Sequence, residues 1–119
     1  MDDNPYRHEL MKQTYIGYNI DYFYNAKDTI AALENNIYDV LFLDHDLDEQ
    51  YNNILLDHAE DGRFVAKHIA TNLSEKYKNS KIYIHSLNAP GSEIMKSILI
   101  SAGINGVVCF PFAWKIKIL

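Results

Sequence analysis

The chain has 119 residues, which suits one domain with a single hydrophobic core. Hydrophobic residues make up 48% of the chain, so its composition excludes a disordered protein. A net charge of −5 argues against an extended nucleic-acid surface, and neither a membrane span nor a signal peptide is found, so we expect a cytoplasmic protein.

Strand and helix signals alternate in the first half of the chain. Residues 20–24 have strand character, and Asn25 is the expected N-cap of a helix whose apolar residues extend to Ile37. Residues 38–43 form a nearly unbroken apolar run, which is typical of a central parallel strand buried on both faces. The run stops at Asp44, so the sequence predicts a strand that ends in an acidic cluster.

The second half of the chain repeats this alternation. A helical pattern follows Gly62, and residues 81–84 predict a short strand. A further helix is expected to open at Pro90 and to stop at Gly103. Residues 107–110 predict a last buried strand.

Together these elements predict one α/β domain over residues 1–119, a three-layer sandwich around a mainly parallel sheet. Ligands bind at the carboxyl ends of the strands in such sheets. The polar residues at those ends, on two strands, are Asp44, His45, Asp46, His85, Ser86 and Asn88. This placement is the strongest functional signal in the sequence.

Asp44 and Asp46 are candidate ligands of a hard divalent cation such as Mg²⁺. Clustered carboxylates repel one another, and a cation between them keeps both charged. Strand pairing breaks at this end, so two alternatives to a side-chain ligand stay open for Asp46: a ligand through its backbone carbonyl, or the cap of a turn. Asp44 is therefore the better candidate of the two.

His45 and His85 are candidate general acids or bases, because modest environmental shifts put imidazole in either charge state near neutral pH. A purely structural role for His85 stays open. His8, His58 and His68 are interpreted as surface or helix-packing residues.

The loop with Ser86, Asn88 and Gly91 precedes a helix and offers hydroxyl, amide and backbone N–H groups to phosphate oxygens. Loops of this composition are also ordinary turns and helix caps. We interpret it as a phosphate-binding loop because it is expected to face Asp44.

The residues L-D-H-D-L at 43–47 and H-S-L-N-A-P-G at 85–91, with Asp61 and Gly62 between them, resemble the cyclic-phosphate-processing receiver domains. These are relatives of the CheY-like receivers, and the resemblance covers most of the chain. It implies a flavodoxin-like fold of five strands in the order 2-1-3-4-5.

The resemblance also implies roles for single residues. Asp44 matches the phospho-acceptor position after the third strand, and Ser86 matches the hydroxyl residue after the fourth. Asp2 and Asp3 match the acidic pair that follows the first strand, and they would complete a cation site with Asp44.

The sequence departs from this family in two places. The apolar first strand is missing, so we expect either that the natural chain starts upstream of Met1 or that residues 114–118, with strand periodicity, fill the slot. Residues 110–112 read Phe-Pro-Phe where a phosphorelay receiver has Lys-Pro, and the closest lysine is Lys115.

The first functional hypothesis is a metal-dependent enzyme, with Mg²⁺ or Mn²⁺, that opens a nucleotide or ADP-ribose cyclic phosphate. Water or Asp44 would attack the phosphorus, and His85 or His45 would move the proton. Ser86, Asn88 and the Gly91 turn would hold the phosphate.

Two alternatives remain open. One is a phosphoacceptor signalling domain, disfavoured by the absent Lys-Pro pair, and the other is a catalytically inactive nucleotide-binding module. The expected partner is a small nucleotide-like phosphate substrate, without a membrane or an extended nucleic-acid surface. The sequence leaves a homodimer open.

Overall fold

A computed structural model describes residues 1–44, 62–86 and 89–110. Within these ranges, three strands form one parallel sheet in the order β1-β2-β3, which confirms the predicted α/β fold class with a small number of strands. The elements in chain order are α1 (Pro5–Thr14), α2 (Ala26–Asn35), β1 (Val40–Asp44), α3 (Gly62–Asn72), α4 (Ser74–Tyr77), β2 (Lys81–His85), α5 (Ala89–Ser101) and β3 (Val107–Phe110).

The register of the sheet aligns the ends of its strands. Val40 lies opposite Lys81 at one end of the β1-β2 pair, and Asp44 lies opposite His85 at the other. In the β2-β3 pair, His85 lies opposite Phe110. The carboxyl ends of all three strands therefore form a single edge, where ligands bind in parallel sheets.

One face of the sheet packs against α3 and α5, and these two helices also pack against each other. Each large apolar side chain that is fully buried in such a core stabilises the fold by about 1.5–3 kcal/mol. The residues of this core include Leu41, Leu43, Ile82, Ile84, Val65, Ile69, Met95 and Leu99.

Aromatic side chains lie on the opposite face of the sheet. The rings of Phe42 and Tyr83 stack with centroids 5.2 Å apart, and Tyr15, just after α1, lies 5.5 Å from Phe42. Val108 continues this row on β3 but is 46% exposed. The side chains on this face are thus more exposed on β3 than on β1.

The helix boundaries follow from their capping residues. The Asn25 side chain accepts a hydrogen bond from the Asp28 N–H at 2.8 Å, which confirms Asn25 as the N-cap of α2. Gly103, two residues beyond the end of α5, adopts a φ of 92°, a left-handed conformation that glycine adopts without strain. The predicted end of that helix is confirmed.

The short helix α4, which the sequence analysis did not predict, contacts the carboxyl end of α2. The Tyr77 hydroxyl donates hydrogen bonds to the carbonyls of Leu33 at 2.8 Å and Asn36 at 2.7 Å. The Lys76 ammonium group donates to the carbonyls of Leu33 and Glu34, both at 2.8 Å. These bonds satisfy carbonyls that a helix end leaves without intrahelical partners.

Two expectations need correction, and one further helix was missed. Residues 20–24 do not form a strand, although the Phe23 carbonyl accepts a hydrogen bond from the Asp2 N–H at 3.0 Å. Among the described residues, Asp2 is the one that bonds to this segment across the chain, and a single such bond does not make a strand. The helix after Asn25 stops at Asn35, and Ile37 is 74% exposed. The helix α1 was not predicted.

Two further points concern the limits of the described ranges. Residues 114–118, the candidate for the missing strand, lie outside the described ranges, and this segment includes Lys115. Residues 111 and 112 lie outside them as well. Within the ranges that the structure covers, no helix is long and apolar enough to cross a bilayer.

Candidate metal centre

The last residues of β1 and β2, Asp44 and His85, are direct neighbours in the sheet. Both side chains are buried, and Asp2 is a third buried polar residue at the same position. Among the described residues, Asp2, Asp44 and His85 each offer a ligand atom, and these atoms all lie within 4.8 Å of one another. The predicted meeting of the two strand ends is thus observed.

Backbone pairing with β1 brings Asp2 into this cluster. The Asp44 N–H donates to the Met1 carbonyl at 3.0 Å, and the Met1 ammonium group donates to the Phe42 carbonyl. Burial lowers the pKa of the Met1 amine to about 6, although the neighbouring carboxylates of Asp2 and Asp44 act in the opposite direction. Asp2, the first residue of the acidic pair, therefore lies beside Asp44, and the metal-binding role that the family resemblance implies for the pair stays a prediction.

Helix α1 adds a cation that the sequence analysis missed, Arg7. Its Nε donates to Asp2 Oδ2 at 2.7 Å and its Nη2 to Asp2 Oδ1 at 2.8 Å. The same Nη2 lies 3.2 Å from Asp44 Oδ2 and 3.7 Å from Asp3 Oδ1. The arginine thus contacts three carboxylates and offsets part of their combined negative charge.

The capping residue of α1 explains this placement. The Asn4 side chain accepts hydrogen bonds from the backbone N–H groups of Tyr6 and Arg7, and Pro5 occupies the first helical position. The Asn4 N–H in turn donates to Asp2 Oδ1 at 2.9 Å. A sequence signal for Arg7 was present, because it stands four residues after Asp3.

His85 donates from Nε2 to Asp2 Oδ2 at 3.0 Å. Burial alone would raise the pKa of Asp2, but hydrogen bonds from His85 and Arg7 outweigh it and hold that pKa well below its usual range. Burial lowers the pKa of His85, and the hydrogen bond to Asp2 offsets only part of this effect. The geometry therefore combines an ionised carboxylate with a neutral imidazole.

A second histidine, His8, supports the backbone of Asp2. It is buried and donates from Nε2 to the Asp2 carbonyl, while its ring contacts Tyr24 at 4.3 Å and Tyr22 at 5.3 Å between centroids. This agrees with the interpretation of His8 as a helix-packing residue.

Asp2, Asp44 and His85 fit a divalent cation by their chemistry, because two carboxylates and one imidazole are common ligands of such ions. Arg7 contacts both carboxylates, so a bound ion and the guanidinium group would compete for their oxygens. A bound ion would require His85 Nε2 to give up its proton to Nδ1, an atom with no hydrogen-bond partner among the described residues. Asp3 lies at the rim of this cluster.

The structure describes only some of the other predicted site residues. Ser86 follows β2 and is half-buried, and Gly91 is buried in the first turn of α5. His45, Asp46 and Asn88 lie outside the described ranges. The roles predicted for these residues stay predictions.

A parallel α/β sheet with buried carboxylates at the carboxyl ends of its strands is the architecture of a receiver-like domain. The model of one family, the cyclic-phosphate processing receiver domain, matches residues 1–101. The chain therefore belongs to this family, and the resemblance seen in the sequence is confirmed. No curated protein and no solved structure matches the chain.

Proposed function

We propose that this domain is a metal-dependent phosphoesterase that opens the cyclic phosphate of a nucleotide or of an ADP-ribose derivative. The observation that carries the proposal is the buried cluster of Asp2, Asp44 and His85 at the carboxyl edge of the sheet. Membership of a family of cyclic-phosphate processing domains supports the substrate class.

Asp2 and Asp44 would hold the ion through their carboxylate oxygens, with His85 Nε2 as a third ligand or as the group that orients Asp2. Mg²⁺ is the first candidate, and Mn²⁺ the second, because it accepts imidazole more readily. When bound, such an ion polarises a phosphoryl oxygen and lowers the pKa of water.

Arg7 would also bind the phosphate group of the substrate. Once it releases the carboxylates, its guanidinium group is free to bind two phosphate oxygens, a geometry that arginine favours. Ser86 and the backbone N–H groups near Gly91, together with Asn88, would contact the remaining phosphate oxygens. Phosphate would then bridge β2 and α1.

The proposed reaction is hydrolysis. A water oxygen bonds to phosphorus, one of the two ester P–O bonds of the ring breaks, and the departing oxygen takes a proton to become a hydroxyl group. The product is a phosphomonoester. Among the described residues, His85 is the candidate that transfers the proton to the departing oxygen. His45 is the alternative.

The test is incubation of the protein with 2′,3′-cyclic nucleotides and ADP-ribose cyclic phosphate, with Mg²⁺ or Mn²⁺ at millimolar concentration. Phosphorus NMR should show conversion of the cyclic diester to a monoester, and Asp44→Asn should abolish it. If the protein binds metal and nucleotide but forms no monoester, the domain is an inactive binding module.

A further inference from the structure

Asp2 differs from the other members of the cluster in how its position is fixed. Asp44 and His85 end two paired strands, so the sheet fixes their backbones. Asp2 lies just before α1, outside the helices and strands of the described ranges. The bonds from Met1 to β1 stop one residue earlier. Other contacts must therefore hold the main chain of Asp2 if its carboxylate is to stay in the cluster.

Two hydrogen bonds hold the peptide groups on either side of Asp2. Its N–H donates to the Phe23 carbonyl at 3.0 Å, and its carbonyl accepts from Nε2 of His8. A carbonyl oxygen can only accept, so the proton of this second bond belongs to His8. With both peptide groups bonded, the side-chain torsions are the main freedom left to Asp2.

The imidazole ring of His8 is itself held by packing. The residue is 9% exposed, and its ring centroid lies 4.3 Å from that of Tyr24 and 5.3 Å from that of Tyr22. Its backbone belongs to the first turn of α1, whose start is fixed by the Asn4 cap. A supporting group places a ligand accurately when its own rotamer is locked by packing. Nε2 of His8 is therefore a fixed donor for the Asp2 carbonyl.

Arg7 and His8 hold different parts of Asp2, although they are neighbours in the same helix. Arg7 donates to the carboxylate oxygens, whereas His8 donates to the main-chain carbonyl. A divalent ion would compete with Arg7 for the carboxylate, but it would leave the carbonyl to His8. The contact from His8 is therefore compatible with a bound arginine and with a bound ion alike.

We propose that His8 is a positioning residue of the metal centre, whose hydrogen bond to the Asp2 carbonyl keeps the carboxylate of Asp2 in the buried cluster. A helix-packing residue would need only its ring at this place, whereas a positioning residue needs the N–H donor. The consequence for a bound ion rests on the proposed function. The consequence for the hydrogen bond between His85 and Asp2 rests on the structure alone.

Two variants give opposite results under these two roles. His8→Phe keeps an aromatic ring against Tyr22 and Tyr24 but removes the donor. His8→Gln removes the ring but keeps an N–H donor near the position of Nε2. A packing role predicts that His8→Gln harms the cluster more, and the positioning role predicts that His8→Phe does.

The first measurement needs no metal. His85 is buried and donates from Nε2 to Asp2 Oδ2 at 3.0 Å, so this imidazole proton should exchange slowly with solvent and be visible by NMR. His8→Phe should make it exchange about tenfold faster or more, because the main chain of Asp2 loses a hydrogen bond. His8→Gln should leave it close to the parent. The Ile82 amide, bonded to the Gly106 carbonyl, reports global unfolding and is the internal control.

The second measurement is a calorimetric titration with Mn²⁺. Removing a group that orients a metal ligand costs about 10–100-fold in affinity, so His8→Phe should bind Mn²⁺ more weakly than the parent by about that factor. His8→Gln should restore most of the affinity. If the parent binds no Mn²⁺, the proposed function fails at this step, and the exchange of the His85 proton still decides the role of His8.

Three results would overturn the proposal. One is an unprotonated Nε2 of His8 in nitrogen NMR of the parent, a measurement that decides even if His8→Phe does not fold. Another is exchange of the His85 proton that rises no more than that of the Ile82 amide in His8→Phe. The third is a larger effect of His8→Gln than of His8→Phe on His85 exchange and Mn²⁺ affinity, which would assign His8 a packing role.

Discussion

Arg7 binds Asp2 with two hydrogen bonds, from Nε to Oδ2 at 2.7 Å and from Nη2 to Oδ1 at 2.8 Å. The guanidinium group contacts both of the buried carboxylates that could hold a divalent ion. Under the proposed function, arginine and metal would therefore compete for one cluster of negative charge, and the site would have an arginine-bound state and a metal-bound state.

Replacing Arg7 should test this competition between arginine and metal. In Arg7→Gln the carboxylates of Asp2 and Asp44 lose their counter-charge, so the metal-free protein should be destabilised by about 1–3 kcal/mol. Metal affinity should rise, and with it the metal-induced increase in Tm. Thermal unfolding with and without Mn²⁺ measures both effects. Lys12→Gln, an exposed change on the same helix, is the control, and weaker metal binding in Arg7→Gln would contradict the competition.

Asp44→Asn should reduce metal binding strongly, because it removes the charge of one of two buried carboxylates. Calorimetry with Mg²⁺ and Mn²⁺ measures this loss. The matched control is Asp39→Asn, the same change at the exposed residue just before β1. Equal affinity in the parent and Asp44→Asn, or no binding to the parent at millimolar metal, would exclude the site.

The prediction for His85→Gln separates proton transfer from packing. Glutamine retains an N–H group to donate to Asp2, so Tm should stay close to that of the parent. Loss of a positioned acid or base should lower the rate of cyclic-phosphate opening about 10²–10⁴-fold. Turnover per folded molecule is the quantity to compare. An unchanged value would assign His85 a structural role and leave His45 as the imidazole candidate.

The phosphorelay alternative leads to a negative prediction. Because Lys-Pro is absent after the last strand, acetyl phosphate should not produce a stable phosphorylated state. Intact-mass spectrometry after incubation with Mg²⁺ and acetyl phosphate measures the modification. A long-lived phosphoaspartate mapped to Asp44 would revive the signalling hypothesis.

Tyr38 gives a prediction for alkaline pH. Burial and the 2.6 Å hydrogen bond from its hydroxyl to Asp21 raise the pKa of Tyr38 to about 12. A raised pKa in the folded state means that this contribution to stability is complete below pH 10 and is lost as the pH rises through about 12. The difference in near-ultraviolet absorbance between the parent and Tyr38→Phe isolates this titration. Asp21→Asn should lower the midpoint, and an unchanged midpoint would contradict the hydrogen bond.

The sheet and its site edge could be predicted because the sequence signals there are local. The apolar run before Asp44 and the short strand before His85 are typical of buried parallel strands, and parallel pairing brings their ends together. Arg7 was missed because α1 has no continuous apolar stripe, so that its start is marked only by the cap at Asn4 and by Pro5. Asp2 was implied only by the family resemblance, because acidic residues at a chain start look like a solvated terminus.

Residues 20–24 show the converse problem. Their composition indicates a strand, but a strand forms only with a hydrogen-bonding neighbour along its length. Within the part of the chain that the structure describes, one such bond is made, from the Asp2 N–H to the Phe23 carbonyl. The strand propensity of residues 20–24 is therefore not sufficient, because strand formation also depends on the neighbouring backbone.

The contacts between α4 and the end of α2 have a consequence for cooperativity. Tyr77 and Lys76 supply the donors for carbonyls of Leu33, Glu34 and Asn36, more than 40 residues away in sequence. The last turn of α2 is therefore complete only when the segment after α3 has docked. Amides at the end of α2 should exchange with solvent in the same opening event as those of α4, so that the two helices belong to one unfolding unit.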